Sequence, residues 1–137
     1  MPSYSFILSG VCVAVLSACT PTSSGPSHAG KRGQLVYAKE CSQCHGAKGE
    51  GGGPASLGLG VVPPDLAGLK QRNDGYFPRE FVRRFVMGTL EKDDPYSAMP
   101  EFASVGLQHV YPRGGASNAV LQADFEALLD YLEAIQD

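Results

Sequence analysis

Two thiols three positions apart, with a histidine directly after the second, stand at Cys41-Ser42-Gln43-Cys44-His45. This spacing reads as a c-type haem attachment site. Each thiol adds across one vinyl group of the same porphyrin, and the adjoining imidazole is placed under the iron as an axial ligand. The other chemistries open to these residue types lack their remaining parts. A structural zinc site needs a second ligand pair, and no later Cys pair or His-x3-His follows. A dithiol redox pair belongs between a strand and a helix in a βαβ pattern, which is missing here.

A second axial donor has to come from elsewhere in the chain, which offers Met1, Met87, Met99, His28 and His109. Met1 leaves with a leader peptide, and His28 sits in a polar stretch. Met87 ends an apolar helical pattern, where an unbranched side chain suits packing. Met99 lies in Tyr96-Ser97-Ala98-Met99-Pro100-Glu101-Phe102, and the following proline biases it to an extended conformation. A loop there can lay a thioether across a haem face. His109, ten residues on, is the rival; it would give bis-histidine ligation and a lower potential.

The elements that position these residues follow from the rest of the chain. Its 137 residues allow one domain plus a short targeting segment. With 17 glycines, 10 prolines and no tryptophan, the side chains alone make a modest core, which a large apolar cofactor would complete. A net charge of −3 argues against a nucleic-acid partner, which calls for a basic surface. Gly33 to Glu40 reads as a short helix leading into the haem motif. The glycine-rich run from Gly46 to Pro54 reads as a loop. Pro78 to Met87 reads as a helix with Pro78 at its first position and Gly88 ending it. Its apolar stripe is Phe81, Val82, Phe85 and Val86. Arg79, Arg83 and Arg84 lie largely off that stripe, as a solvated face or, for one of them, a partner of a haem propionate. A last helix from about Ala119 to near Ile135, capped by Ser117 or Asn118, buries Val120, Leu121, Phe125, Leu128, Leu129 and Leu132.

Phe6 to Leu16 is apolar but too short for a membrane span, which takes about 20 residues, and fits the hydrophobic core of a signal peptide. Leu16-Ser17-Ala18-Cys19 resembles a bacterial lipobox, which implies cleavage before Cys19 and lipidation of its thiol. Residues 1–6 carry no Lys or Arg, a departure from ordinary export signals. Residues 19–32 then form a lipidated N-terminus and a Pro/Ser/Gly-rich tether, and 33–137 the haem domain.

The domain resembles class I c-type cytochromes at four places: Gly33/Tyr37, the haem motif, Pro64-Asp65-Leu66 and the Met99 loop. The resemblance covers residues 33–137. It implies an all-α cytochrome c fold, with three to four short helices and long loops wrapped around one covalently bound haem c. In that family the first helix crosses the last at a Gly-x3-aromatic face, for which Leu128 and Tyr131 are the partners here. The Pro64 carbonyl is implied as acceptor for the second N–H of His45, Leu66 as a contact on the porphyrin face, and Met99 as the second iron ligand. Residues 106–118 exceed the family's minimal pattern.

The resemblance implies a single-electron carrier with both axial positions filled by His45 and Met99 and no small-molecule substrate at the iron. Its expected partners are membrane-bound or periplasmic redox proteins, met on the periplasmic side of a bacterial membrane through the lipid anchor. A soluble periplasmic form is the alternative location. The alternative functions are a haem subunit of a larger dehydrogenase or oxidase, and a haem protein with an open sixth site. The acidic run Glu91-Lys92-Asp93-Asp94 is solvated, or steers a basic partner.

Overall fold

Three multi-turn helices carry the architecture: α1 (His28–Glu40), α3 (Arg79–Met87) and α5 (Asn118–Ala134). Two more are single turns, α2 (Ser42–His45) and α4 (Phe102–Val105), and 3-10 turns at Pro54–Gly58 and Gln71–Asn73 stiffen the connection from α2 to α3. This computed structural model describes residues 28–90 and 98–137. Cys19, the leader 1–18, residues 19–27 and the acidic run 91–94 lie outside the described residues. Among the described residues there is no strand, and no helix is long and apolar enough to cross a membrane. The fold is all-α, as the sequence leads one to expect.

The molecule is organised on the crossing of α1 and α5. A Cβ on Gly33 would stand 1.9 Å from the Ala127 carbonyl oxygen and 2.8 Å from the Tyr131 Cβ. Only glycine lets these two backbones come so close. One turn further on, the Tyr37 and Tyr131 rings meet with centroids 5.3 Å apart. Val36, Tyr37, Phe125, Leu128, Leu129 and Leu132 form the buried centre of this contact. α5 starts where Ser117 caps it, its side chain accepting from the Val120 N–H. Val120 itself is exposed and Leu121 only partly buried, so the buried stripe of α5 starts one turn later than its sequence pattern indicates.

α1 begins at His28, so residues 28–32 are helical where their composition reads as tether. The reason is a tertiary contact. Arg32 donates to both carboxylate oxygens of Asp124 at 2.5 and 2.7 Å, and Tyr111 donates to the same carboxylate at 2.7 Å. Asp124 is only 3% exposed. Burial alone would raise its carboxyl, but the hydrogen bonds from Arg32 and Tyr111 outweigh that and hold it below the ordinary range. The Arg32 guanidinium also lies 5.6 Å from the centre of the Tyr111 ring. Three segments distant in sequence are therefore tied at one buried charge pair.

α3 packs Val82 and Val86 inward and leaves Phe81 largely exposed. It ends in a Schellman turn: Gly88 adopts φ +74°, its N–H reaches the Phe85 carbonyl, and the Thr89 N–H reaches that of Arg84. Two of its three arginines are held by carboxylates rather than free in solvent. Arg79 pairs with Glu126, Asp130 and Glu133, and Arg83 with Glu126 and Glu80. They fasten α3 to α5, while Arg84 faces outward.

Candidate haem-binding site

α1 and α2 meet at the thiol motif. The Cys41 N–H still bonds the Tyr37 carbonyl at 2.9 Å, and the Cys44 and His45 N–H groups both return to the Cys41 carbonyl. That tight turn presents the two thiols and the imidazole from one short stretch of backbone. Burial pushes the Cys41 thiol up to about 12, with the charges of Glu40 and Cys44 adding to the rise.

The glycine run folds back over the motif. Gly51 donates to the His45 carbonyl at 2.7 Å and Gly53 to that of Cys44 at 2.9 Å. A Cβ on Gly53 would lie 2.4 Å from the Gln43 carbonyl oxygen, and Gly46 takes φ +82°. Side chains at these places would lift the loop off. The Tyr37 hydroxyl, buried, donates to the Gly46 carbonyl at 2.7 Å, and burial keeps this phenol well above its ordinary range.

His45 is 8% exposed, and its Nδ1 stands 3.0 Å from the Pro64 carbonyl oxygen. A carbonyl only accepts, so Nδ1 carries the proton and Nε2 keeps its lone pair for a metal. The Pro64 carbonyl is fixed by what flanks it. Asp65 accepts from the N–H groups of Ala67 and Gly68 and pairs with Arg72, and the Leu66 N–H bonds the Gly49 carbonyl at 2.6 Å.

A cavity of about 380 Å³ opens beside the motif. Glu40, Cys41, Cys44 and His45 line it on the motif's part, and Leu59, Val61, Pro63 and Pro64 on the part of the long connection. Phe85 of α3, Phe102 of α4 and the stretch Ala98-Met99-Pro100 complete the wall. Met99 therefore shares a cavity with His45. Met87 does not; it lines a separate small space between α3 and α5 with Val86, Phe125 and Leu129. His109 is absent from the cavity wall, and its Nδ1 meets the Glu40 carboxylate at 2.7 Å. His28 is exposed at the start of α1.

The resemblance implies a contact of Leu66 with a porphyrin face. Leu66 packs against the helical core and is not among the cavity residues. Its N–H donates to the Gly49 carbonyl, and its carbonyl accepts from the Gln136 side chain near the end of α5. Phe85, Phe102, Leu59 and Val61 are among the apolar residues of the cavity wall. Phe85 could be found from the stripe of α3. Glu40 could not, since one charged residue at a helix end reads as solvated.

The donor set fits a haem held by two thioethers. It offers two thiols, an imidazole with its metal-binding nitrogen free, a thioether in the same space, and otherwise mainly apolar walls. The family model described as Cytochrome c matches residues 30–136. No curated protein and no solved structure matches the chain. With most of its length matched, the chain belongs to the cytochrome c family, whose members bind haem c covalently and transfer electrons.

Proposed function

We propose that this protein carries single electrons through one haem c that is six-coordinate, with His45 and Met99 as axial ligands and Cys41 and Cys44 as the attachment thiols. The observation that carries this reading is the sharing of one cavity by Cys41, Cys44, His45 and Met99, while Met87 and His109 lie elsewhere. When bound, the haem supplies a one-electron couple between ferric and ferrous iron, and a thioether ligand favours the ferrous form. The chain does the rest. Pro64 holds the His45 ring in the tautomer that leaves Nε2 a donor. Phe85, Phe102, Leu59 and Val61 give the site an apolar wall.

Replacing Met99 tests the ligation. Met99→Ala is expected to abolish the weak sulfur-to-ferric-iron charge-transfer band and to let carbon monoxide bind the ferrous protein rapidly. Met87→Ala is expected to keep the band and exclude the gas. The opposite pair of results would overturn the assignment, and rapid carbon monoxide binding by the unaltered protein would replace the carrier with an open-site haem protein.

The partners we propose are membrane-bound or periplasmic redox proteins, met at a bacterial membrane surface through a lipid on Cys19. The lipobox-like Leu16-Ser17-Ala18-Cys19 supports this. α1 already includes residues 28–32, so part of the stretch 20–32 that reads as tether in the sequence is helical. A lipid anchor raises the local concentration of a partner in the same membrane. Cys19→Ala should move the protein from the membrane to the soluble fraction and abolish palmitate labelling. Unchanged membrane association would sink the anchor.

A further inference from the structure

A carboxylate stands in the wall of the haem cavity, and the additional segment 106–118 is folded onto it. Glu40 directly precedes Cys41, contributes to the cavity wall, and has a side chain only 3% exposed. Its Oε1 accepts from the backbone N–H groups of His109 and Val110 at 2.7 and 2.9 Å, and Oε2 meets His109 Nδ1 at 2.7 Å. The segment is fastened a second time where Tyr111 bonds Asp124, and Leu107 is buried beneath it. His109 itself is 72% exposed. One charged side chain is thus kept from bulk water by a turn that supplies three hydrogen bonds to it.

We propose that Glu40, positioned by the His109–Val110 turn, sets the reduction potential of the haem by favouring its ferric form. This rests on the carrier reading above and goes beyond it. Transfer moves one electron between iron and redox partner with no bond made or broken. The oxidised site therefore carries one more positive charge than the reduced one. A fixed negative charge nearby stabilises the oxidised site by Coulomb attraction, and more strongly where water is excluded. Thioether ligation pulls the couple the other way. The segment 106–118 then has a redox role: it holds and shields the opposing charge.

The test is a potentiometric titration of the haem-loaded full chain, followed by its optical spectrum. Glu40→Gln keeps the size of the side chain and removes the charge. It is expected to raise the ferrous-to-ferric ratio at a given poise about tenfold, a shift of about 59 mV for a one-electron couple. Glu40→Asp restores the charge and is expected to return the ratio to within about threefold of the parent. A Glu40→Gln ratio within twofold of the parent, or an equal shift in Glu40→Asp, would overturn the proposal. His109→Ala leaves the carboxylate but opens it to water; it should raise the ratio about threefold, and it carries the test if Glu40→Gln fails to take up haem. No rise in His109→Ala would then overturn the proposal. The charge-transfer band keeps the two readings apart. Its loss in the unaltered protein refutes Met99 ligation, whereas an intact band with an unmoved potential refutes only the role of Glu40.

Discussion

His45 and Met99 enter the same cavity from frameworks of different kind. The turn that bears His45 is held by backbone bonds from Tyr37, Cys41, Gly51 and Gly53, and by the Pro64 carbonyl. It adjoins the closest helix crossing in the molecule, where α1 meets α5. Met99 instead belongs to an irregular stretch beside the single turn α4, whose Phe102 is buried. The histidine is held by the backbone bonds of the α1–α2 turn, while the thioether comes from a stretch outside the helices. Changes at the α1–α5 framework should therefore cost global stability. Changes at Met99 should alter the spectrum at little cost to the fold.

Removing Asp124 should give the largest loss. Its carboxylate joins α1, α5 and the segment 106–118, and Asp124→Ala leaves Arg32 and Tyr111 without their acceptor. Breaking a buried pair in this way costs about 3–5 kcal/mol, and the lower end applies because Arg32 is a third exposed. Equilibrium unfolding in denaturant would measure it. A loss as small as that of Met99→Ala would dissolve the contrast between the two frameworks.

Gly33→Ala should come next. The added methyl would overlap the Ala127 carbonyl, which is backbone and cannot turn aside, so the helices must separate. Overpacking of this kind costs about 2–3 kcal/mol. The expected signature is a lowered unfolding midpoint with the charge-transfer band intact in the folded protein. Loss of the band at unchanged stability would mean that the crossing serves Met99 rather than the framework.

Much of the framework was legible because it depends on local pattern. The Gly33–Tyr37 spacing, the apolar positions of the last helix and the thiol motif are each set by a few neighbouring residues. Of the candidate site, the place of Met99 before Pro100 pointed to the stretch that lines the cavity with His45. What escaped depends on contacts between distant segments. Arg32 and Asp124 lie 92 positions apart, and no periodicity links them. Arg79 and Arg83 looked solvated until α5 supplied Glu126 and its neighbours. The link from Leu66 to the end of α5 through the Gln136 side chain spans 70 positions and likewise leaves no local pattern.

Acid should separate the frameworks by a smaller margin, through the arginine clamp of α3. The Arg83 guanidinium, with Arg79 and Gln122 assisting against some cost of burial, lowers the Glu126 carboxyl to about 2. A carboxyl depressed in the folded state and ordinary in the unfolded chain, at about 4.5, stabilises the fold fully above pH 4.5. That contribution is lost as the pH falls from 4.5 toward 2. Glu126 is more than a third exposed, so solvent screening limits it to about 1 kcal/mol. Glu126→Gln should therefore melt several degrees below the parent at pH 7, by about 4 °C for a domain of this size. The two should converge near pH 2, and high salt at pH 7 should narrow the gap. A gap that stays constant from pH 7 to pH 2 would show that Glu126 acts through packing, and that charge does not hold α3 to the α1–α5 framework.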